Sequence, residues 1–116
     1  MLIVDDNRDA ADTLSMYLRA KGHDVRVAYD GVEGLGAAMA FKPQVVLLDI
    51  GLPKIYGYEV AREIREKFGA AVLIIAVTGY GQEEDRRRSR EAGFDYHFTK
   101  PVDLNELDRL FSRLGV

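Results

Sequence analysis

Cysteine is absent from this chain, and proline occurs only 3 times in 116 residues. Without cysteine there is neither a disulfide framework nor a thiolate zinc site. No apolar stretch approaches the roughly 20 residues that a bilayer-spanning helix requires, so membrane insertion is not expected. The apolar start gives way to aspartate at position 5, too early for the core of a secretory signal. Low-complexity tracts, repeats and linkers are also missing. The formal net charge is only −3, which argues against a nucleic-acid surface spread over the domain. These absences point to a cytoplasmic protein without direct nucleic-acid binding. What is present, 47% hydrophobic residues in a short chain, suits one compact domain around one core. Met1 already lies inside the first strand pattern, and the chain stops one helix after Lys100-Pro101. Residues 1–116 are therefore expected to be a single domain excised from a longer protein.

Strand and helix patterns alternate five times, the signature of parallel βαβ units. Strands are expected near residues 1–5, 24–28, 44–49, 72–77 and 95–98. The longest are unbroken apolar runs, as required when helices cover both sheet faces. Helices are expected near 8–21, 31–41, 57–68, 82–92 and 103–114. Ala11, Leu14 and Leu18 form one stripe, Val60, Ile64 and Phe68 another, and Leu104, Leu107, Phe111 and Leu114 the clearest. Asp30 with Glu33 and Asp103 with Glu106 have capping-box spacing. Lys21-Gly22 and Lys67-Phe68-Gly69 read as helix ends. Gly34 and Gly36 should each weaken the second helix by roughly 0.5–1 kcal/mol relative to alanine, so a frayed or short helix is expected there.

Four apolar runs deliver polar side chains at their carboxyl ends: Asp5-Asp6, Asp49, Thr78 and Lys100-Pro101. In an open α/β sheet that edge is where ligands bind. Three acids meeting there would repel one another and raise their own pKa values unless a cation joined them. Oxygen donors without histidine or cysteine favour Mg²⁺ or a similar hard ion such as Mn²⁺. Asp49 would then act as nucleophile toward a phosphoryl group, Lys100 as a point charge on its oxygens, and Thr78 as a hydroxyl donor. Gly79 leaves room for the phosphoryl group to approach. Each residue taken singly has a structural reading: a helix cap at Asp6 or Asn7, a turn aspartate at Asp49, a strand-exit turn at Thr78-Gly79. Pro101 is a candidate cis proline, because the chain must turn sharply from strand to helix.

The ordered set Asp5-Asp6, Asp49 with Pro53 and Gly57, Thr78-Gly79 and Lys100-Pro101 closely resembles the receiver domain of two-component response regulators. The resemblance covers essentially the whole chain. It implies a flavodoxin-like (βα)5 doubly wound parallel five-stranded sheet with strand order 2-1-3-4-5. It also implies Mg²⁺-dependent transfer of a phosphoryl group to Asp49 from a histidine kinase or histidine phosphotransfer protein. The metal would be held by Asp6, Asp49 and the backbone carbonyl of Gly51, with Asp5 acting through water. Such a domain is a phosphoacceptor that assists its own phosphorylation and dephosphorylation, not a turnover enzyme. Family logic further implies a switch in which Thr78 moves toward the phosphoryl group and the ring of His97 fills the vacated space. A homodimer through the fourth helix, fifth strand and fifth helix is a further implication. The wording Gly51-Leu52-Pro53 and Thr78-Gly79-Tyr80-Gly81-Gln82 is similar to receivers attached to hybrid histidine kinases.

Some positions depart from the usual pattern. His97 stands where tyrosine or phenylalanine is common, and histidine changes charge near neutral pH. Gly51 and Tyr80 occupy places that tune phosphoryl lifetime in the family, and Ile55-Tyr56 lacks an acid often seen before Gly57. Glu83–Arg87 and Glu84–Arg88 are spaced for ion pairs, and the run Arg86-Arg87-Arg88 with Arg90 reads as a solvated face or a partner surface. A haloacid dehalogenase-like phosphohydrolase would need two aspartates separated by one residue and a cap. A receiver that works without phosphorylation would have lost an acid, the threonine or the lysine. A flavin module would carry a phosphate loop rich in serine, threonine and glycine.

Overall fold

Five parallel strands lie in the order β2-β1-β3-β4-β5. The computed structural model describes residues 1–52, 57–79 and 93–116. Within these are β1 (Leu2–Val4), α1 (Arg8–Ala20), β2 (Arg26–Ala28), α2 (Gly31–Phe41), β3 (Val45–Asp49), α3 (Gly57–Phe68), a 3₁₀ turn (Gly69–Ala71), β4 (Leu73–Thr78), β5 (Tyr96–Thr99) and α4 (Leu104–Leu114). The expected flavodoxin-like order is the one observed. The helix expected near 82–92, with its Glu83–Arg87 and Glu84–Arg88 pairs and with Arg86, Arg88 and Arg90, lies outside the described residues. So do Pro53, Ile55, Tyr56 and Tyr80.

The unbroken apolar runs are explained by two cores, one on each sheet face. Leu2, Val4, Val46, Leu48, Ile74 and Ala76 point to one side, where Val60, Ala61 and Ile64 of α3 and Ala38 of α2 cover them. Ile3, Val45, Leu47, Ile75 and Val77 alternate to the other, beneath Ala11 and Leu18 of α1 and Leu107, Leu110 and Phe111 of α4. With period-2 alternation and helices on both faces, β1, β3 and β4 have no position for a polar residue until their carboxyl ends. The α4 stripe differs from expectation at its end: Leu110 is buried, while Leu114 is 39% exposed. Among helices of the described residues, none is long and apolar enough to cross a membrane.

The caps follow the chemistry of their residues. The side chain of Asn7 accepts the Ala10 N–H at 3.1 Å, Asp30 accepts from Glu33, and Asp103 accepts from Asn105 and Glu106. Arg65 is a brace that sequence reasoning missed. Its guanidinium donates to the carbonyls of Gly69, Val72 and Gly93 and to the Asp95 carboxylate, each at 2.7 Å. Asp95 in turn accepts the Ile74 N–H at 2.8 Å. One side chain thus joins the end of α3, the start of β4 and the approach to β5. In sequence it is one more basic residue on a charged helix.

The second helix is not short; it runs for 11 residues. Its two glycines differ. A Cβ on Gly34 would lie 2.7 Å from Val4 Cγ1, so glycine there lets α2 approach the sheet closely, while at Gly36 a Cβ would meet nothing within 4 Å. Gly36→Ala is therefore expected to raise stability by about 0.5–1 kcal/mol through helix propensity. Gly34→Ala should lower it by about 1–3 kcal/mol through overpacking. Urea denaturation of the two variants checks this, and equal effects of the same sign would contradict it.

Candidate functional site

Strand register brings the reactive residues together. Val4 pairs with Leu48 of β3, and Asp49 pairs with Val77 of β4, so Asp5, Asp49 and Thr78 emerge at one edge of the sheet. Thr78 pairs with Thr99 of β5, which delivers Lys100 to the same edge. The Lys100–Pro101 bond is cis. Carboxylate oxygens of Asp5, Asp6 and Asp49 all lie within 4.8 Å of one another. Asp5 and Asp49 are buried, whereas Asp6 is exposed.

Lys100 joins the two buried acids. Its Nζ lies 3.1 Å from Asp5 Oδ2 and 3.3 Å from Asp49 Oδ2. Backbone N–H groups fix the other oxygens: Asn7 donates to Asp5 Oδ1 and Gly51 to Asp49 Oδ1, each at 3.0 Å. Thr78 Oγ1 and His97 Nε2 are hydrogen-bonded at 2.9 Å. Beneath Asp49, the chain passes so close that a Cβ on Gly57 would sit 2.5 Å from the Asp49 carbonyl oxygen. The Gly57 N–H also donates to Ile50 O at 3.1 Å. Only glycine lets this segment lie against the end of β3. A cavity of about 630 Å³ opens beside the carboxylates, walled by Leu14 of α1, Val77, Pro101 and Val102.

Every residue expected at the site, including Asp5, Asp6, Asp49, Gly51, Thr78, His97 and Lys100, is thus at or beside this edge. The chemistry of the donor set fits a hard divalent cation, with several carboxylate oxygens, no sulfur and an open side at Asp6.

Burial pushes the Asp49 carboxyl up to about 6. The Gly51 N–H opposes the rise, the Asp5 charge adds to it, and the Lys100 charge offsets part. Burial alone would lower the Lys100 ammonium, but the Asp49 and Asp5 carboxylates outweigh it and hold the group above its usual value. A carboxyl whose folded value exceeds its unfolded one favours folding below the unfolded value near 3.8, and that contribution is lost as pH rises through about 6. In chelator, Asp49→Asn should therefore be more stable than the parent at pH 7. We expect about 1 kcal/mol after allowance for water at the open edge and the weakened hold on Lys100. The difference should vanish near pH 4. Denaturant midpoints at the two pH values test it, and a variant less stable at pH 7 would refute the balance described.

Comparison with known proteins agrees with this geometry. Residues 1–112 match the family model of the response regulator receiver domain. The chain is 33% identical over 108 residues to the DNA-binding dual master transcriptional regulator RpaA of Synechocystis. That alignment covers 92% of this chain but 45% of the relative, so the chain spans under half the relative's length. A CheY-like response regulator receiver domain protein from Methanospirillum hungatei has a similar structure, with a TM-score of 0.88 and 31% identity over 98% of this chain and 91% of that one. A response regulator protein from Burkholderia pseudomallei, crystallised with a phosphorylated aspartic acid, a calcium ion and citrate, has a TM-score of 0.85 and 26% identity. It is covered over 62% of its length by 91% of this chain. With the family model matched almost end to end and the strand order and acidic edge in place, the chain belongs to the response regulator receiver domains.

Proposed function

We propose that this receiver takes a phosphoryl group on Asp49 from the phosphohistidine of a histidine kinase or histidine phosphotransfer protein in the cytoplasm. The carrying observation is the convergence of three acidic side chains within 4.8 Å, two of them on the Lys100 ammonium. In the transfer, an Asp49 carboxylate oxygen bonds to phosphorus as the phosphorus–nitrogen bond to the donor imidazole breaks. The Lys100 ammonium, now shared between Asp5 and Asp49, turns part of its charge to the phosphoryl oxygens. Asp6, Asp49 and the Gly51 carbonyl would hold Mg²⁺ or Mn²⁺, with Asp5 acting through water. When bound, the ion supplies positive charge against the phosphoryl oxygens. The phosphorylated aspartic acid and calcium ion of the Burkholderia relative support this reading. The modest net charge of −3 supports a protein partner in preference to direct contact with nucleic acid.

Switching would start at the hydroxyl of Thr78. Its bond to His97 Nε2 competes with a bond to a phosphoryl oxygen. Once Thr78 turns to the phosphoryl group, His97 loses that partner and its ring can reorient within β5.

Incubation with Mg²⁺ and acetyl phosphate is expected to add one phosphoryl group to the chain, seen by mass spectrometry. Asp49→Asn should abolish the adduct, and an adduct that persists in the variant removes Asp49 from its role. Metal binding should be opposed by protons, because Asp49 must ionise to serve as a ligand. With the free carboxyl near 6, Mg²⁺ affinity measured by calorimetry should be flat above pH 7. Below pH 6 it should fall by about tenfold per pH unit as one proton is displaced. An affinity unchanged between pH 7 and 5 would show that Asp49 is not a ligand.

A further inference from the structure

A second cavity, of about 610 Å³, lies away from the acidic edge and shares no residue with the cavity beside it. It is lined from α1, β2 and α2. These helices pack on opposite faces of the sheet, so the cleft runs past the open edge of β2. Its volume falls in the range of small-molecule sites, about 300–1,000 Å³.

Three features suit it to a ligand. The first is a buried polar group: Ser15 lines the cleft, is 1% exposed, and its Oγ has no hydrogen-bond partner. An unpartnered buried hydroxyl is costly and calls for an explanation. The second is the strand edge. Arg26 N–H donates to Met1 O and Ala28 O accepts from Asp5 N–H, which turns both residues' backbone groups toward β1. By alternation, the N–H and C=O of Val27 face the open side, a donor and an acceptor side by side. The third is polarity along the cleft. Arg19 and Arg26 stand at one end, with the Arg26 guanidinium 5.0 Å from the centre of the Phe41 ring. Asp12 stands at the other end, where it already accepts a hydrogen bond from Tyr29 at 2.6 Å. Between the ends the side chains of Met16, Val27, Ala37 and Ala40 supply apolar wall, and Met16 is left 69% exposed.

We propose that the α1–β2–α2 cleft binds a flat aromatic anion, an aryl carboxylate or sulfonate. Its ring packs on Met16, Ala37 and Phe41 while its acid group meets Arg19 and Arg26. Ser15 Oγ and the Val27 edge hydrogen-bond its polar substituents. The ligand clamps α1 against α2 and acts independently of Asp49. A peptide is disfavoured, because β2 is 3 residues long and turns only Val27 outward.

The test titrates the chain with 8-anilinonaphthalene-1-sulfonate and follows both fluorescence and backbone amide shifts. Saturable binding should shift the amides of Ser15, Met16, Val27 and Phe41. Arg26→Gln, at an exposed position, should weaken it by about tenfold or more, the worth of a lost charge-assisted contact. The uncharged N-phenyl-1-naphthylamine should bind similarly weakly, and Ala37→Trp should fill the cleft and abolish binding. Asp49→Asn should leave the affinity unchanged, which separates this outcome from any failure at the acidic edge. No saturable binding, shifts centred on Val102 and Leu104, or equal affinity in Arg26→Gln would overturn the proposal.

Discussion

The interaction on which the site depends is the contact of one ammonium with two buried carboxylates. Asp5 and Asp49 leave strands that are themselves fully covered, and neither carboxylate is well placed to reach bulk water. Held apart from any cation, two such groups would be driven to share a proton. Lys100 lies 3.1 and 3.3 Å from them and lowers that cost without cancelling it, which is why Asp49 still rises to about 6. Most of what remains is the cost of burying the charge, with Asp5 repulsion added to it, and a cation among the carboxylates would relieve both. The same arrangement that burdens the fold gathers carboxylate oxygens within 4.8 Å, a donor set that fits a hard divalent cation.

Everything around this contact restricts how it can change. The Asn7 and Gly51 N–H groups hold Oδ1 of Asp5 and Oδ1 of Asp49 respectively, while Lys100 reaches both oxygens of Asp5 and Oδ2 of Asp49. Gly57 packs against the Asp49 carbonyl so tightly that no side chain fits, which fixes the end of β3. The hydroxyl of Thr78 stands at the same sheet edge. Its bond to His97 Nε2 ties the site to β5, whose approach is pinned from below by Arg65 and Asp95.

The β2 side is organised differently. Its cleft combines a strand edge, an unpartnered hydroxyl and a cationic end, and no covalent chemistry is suggested there. Close approach of α2 to the sheet through Gly34 brings one wall into place. A helix that propensity alone would rate as weak is held by contact with Val4, so tertiary packing outweighs the local cost of glycine.

What the sequence by itself determined was periodicity and order. Apolar runs of strand length ending in Asp5, Asp49 and Thr78 could bury themselves only in a covered parallel sheet, and a covered parallel sheet gathers its strand ends at one edge. The reactive set was legible for that reason. Cap residues such as Asn7, Asp30 and Asp103 were legible because their chemistry is local. Tertiary structure alone decided the partners that sequence distance hides. Arg65 meets Asp95 across 30 positions and Lys100 meets Asp5 across 95, and nothing in the intervening chain encodes either distance. It also decided which glycine of α2 is needed, because Gly34 and Gly36 are alike in propensity and differ only in what stands opposite. Local order follows from each residue's own backbone and side-chain preferences, whereas contacts between distant segments exist only once the sheet has set their spacing.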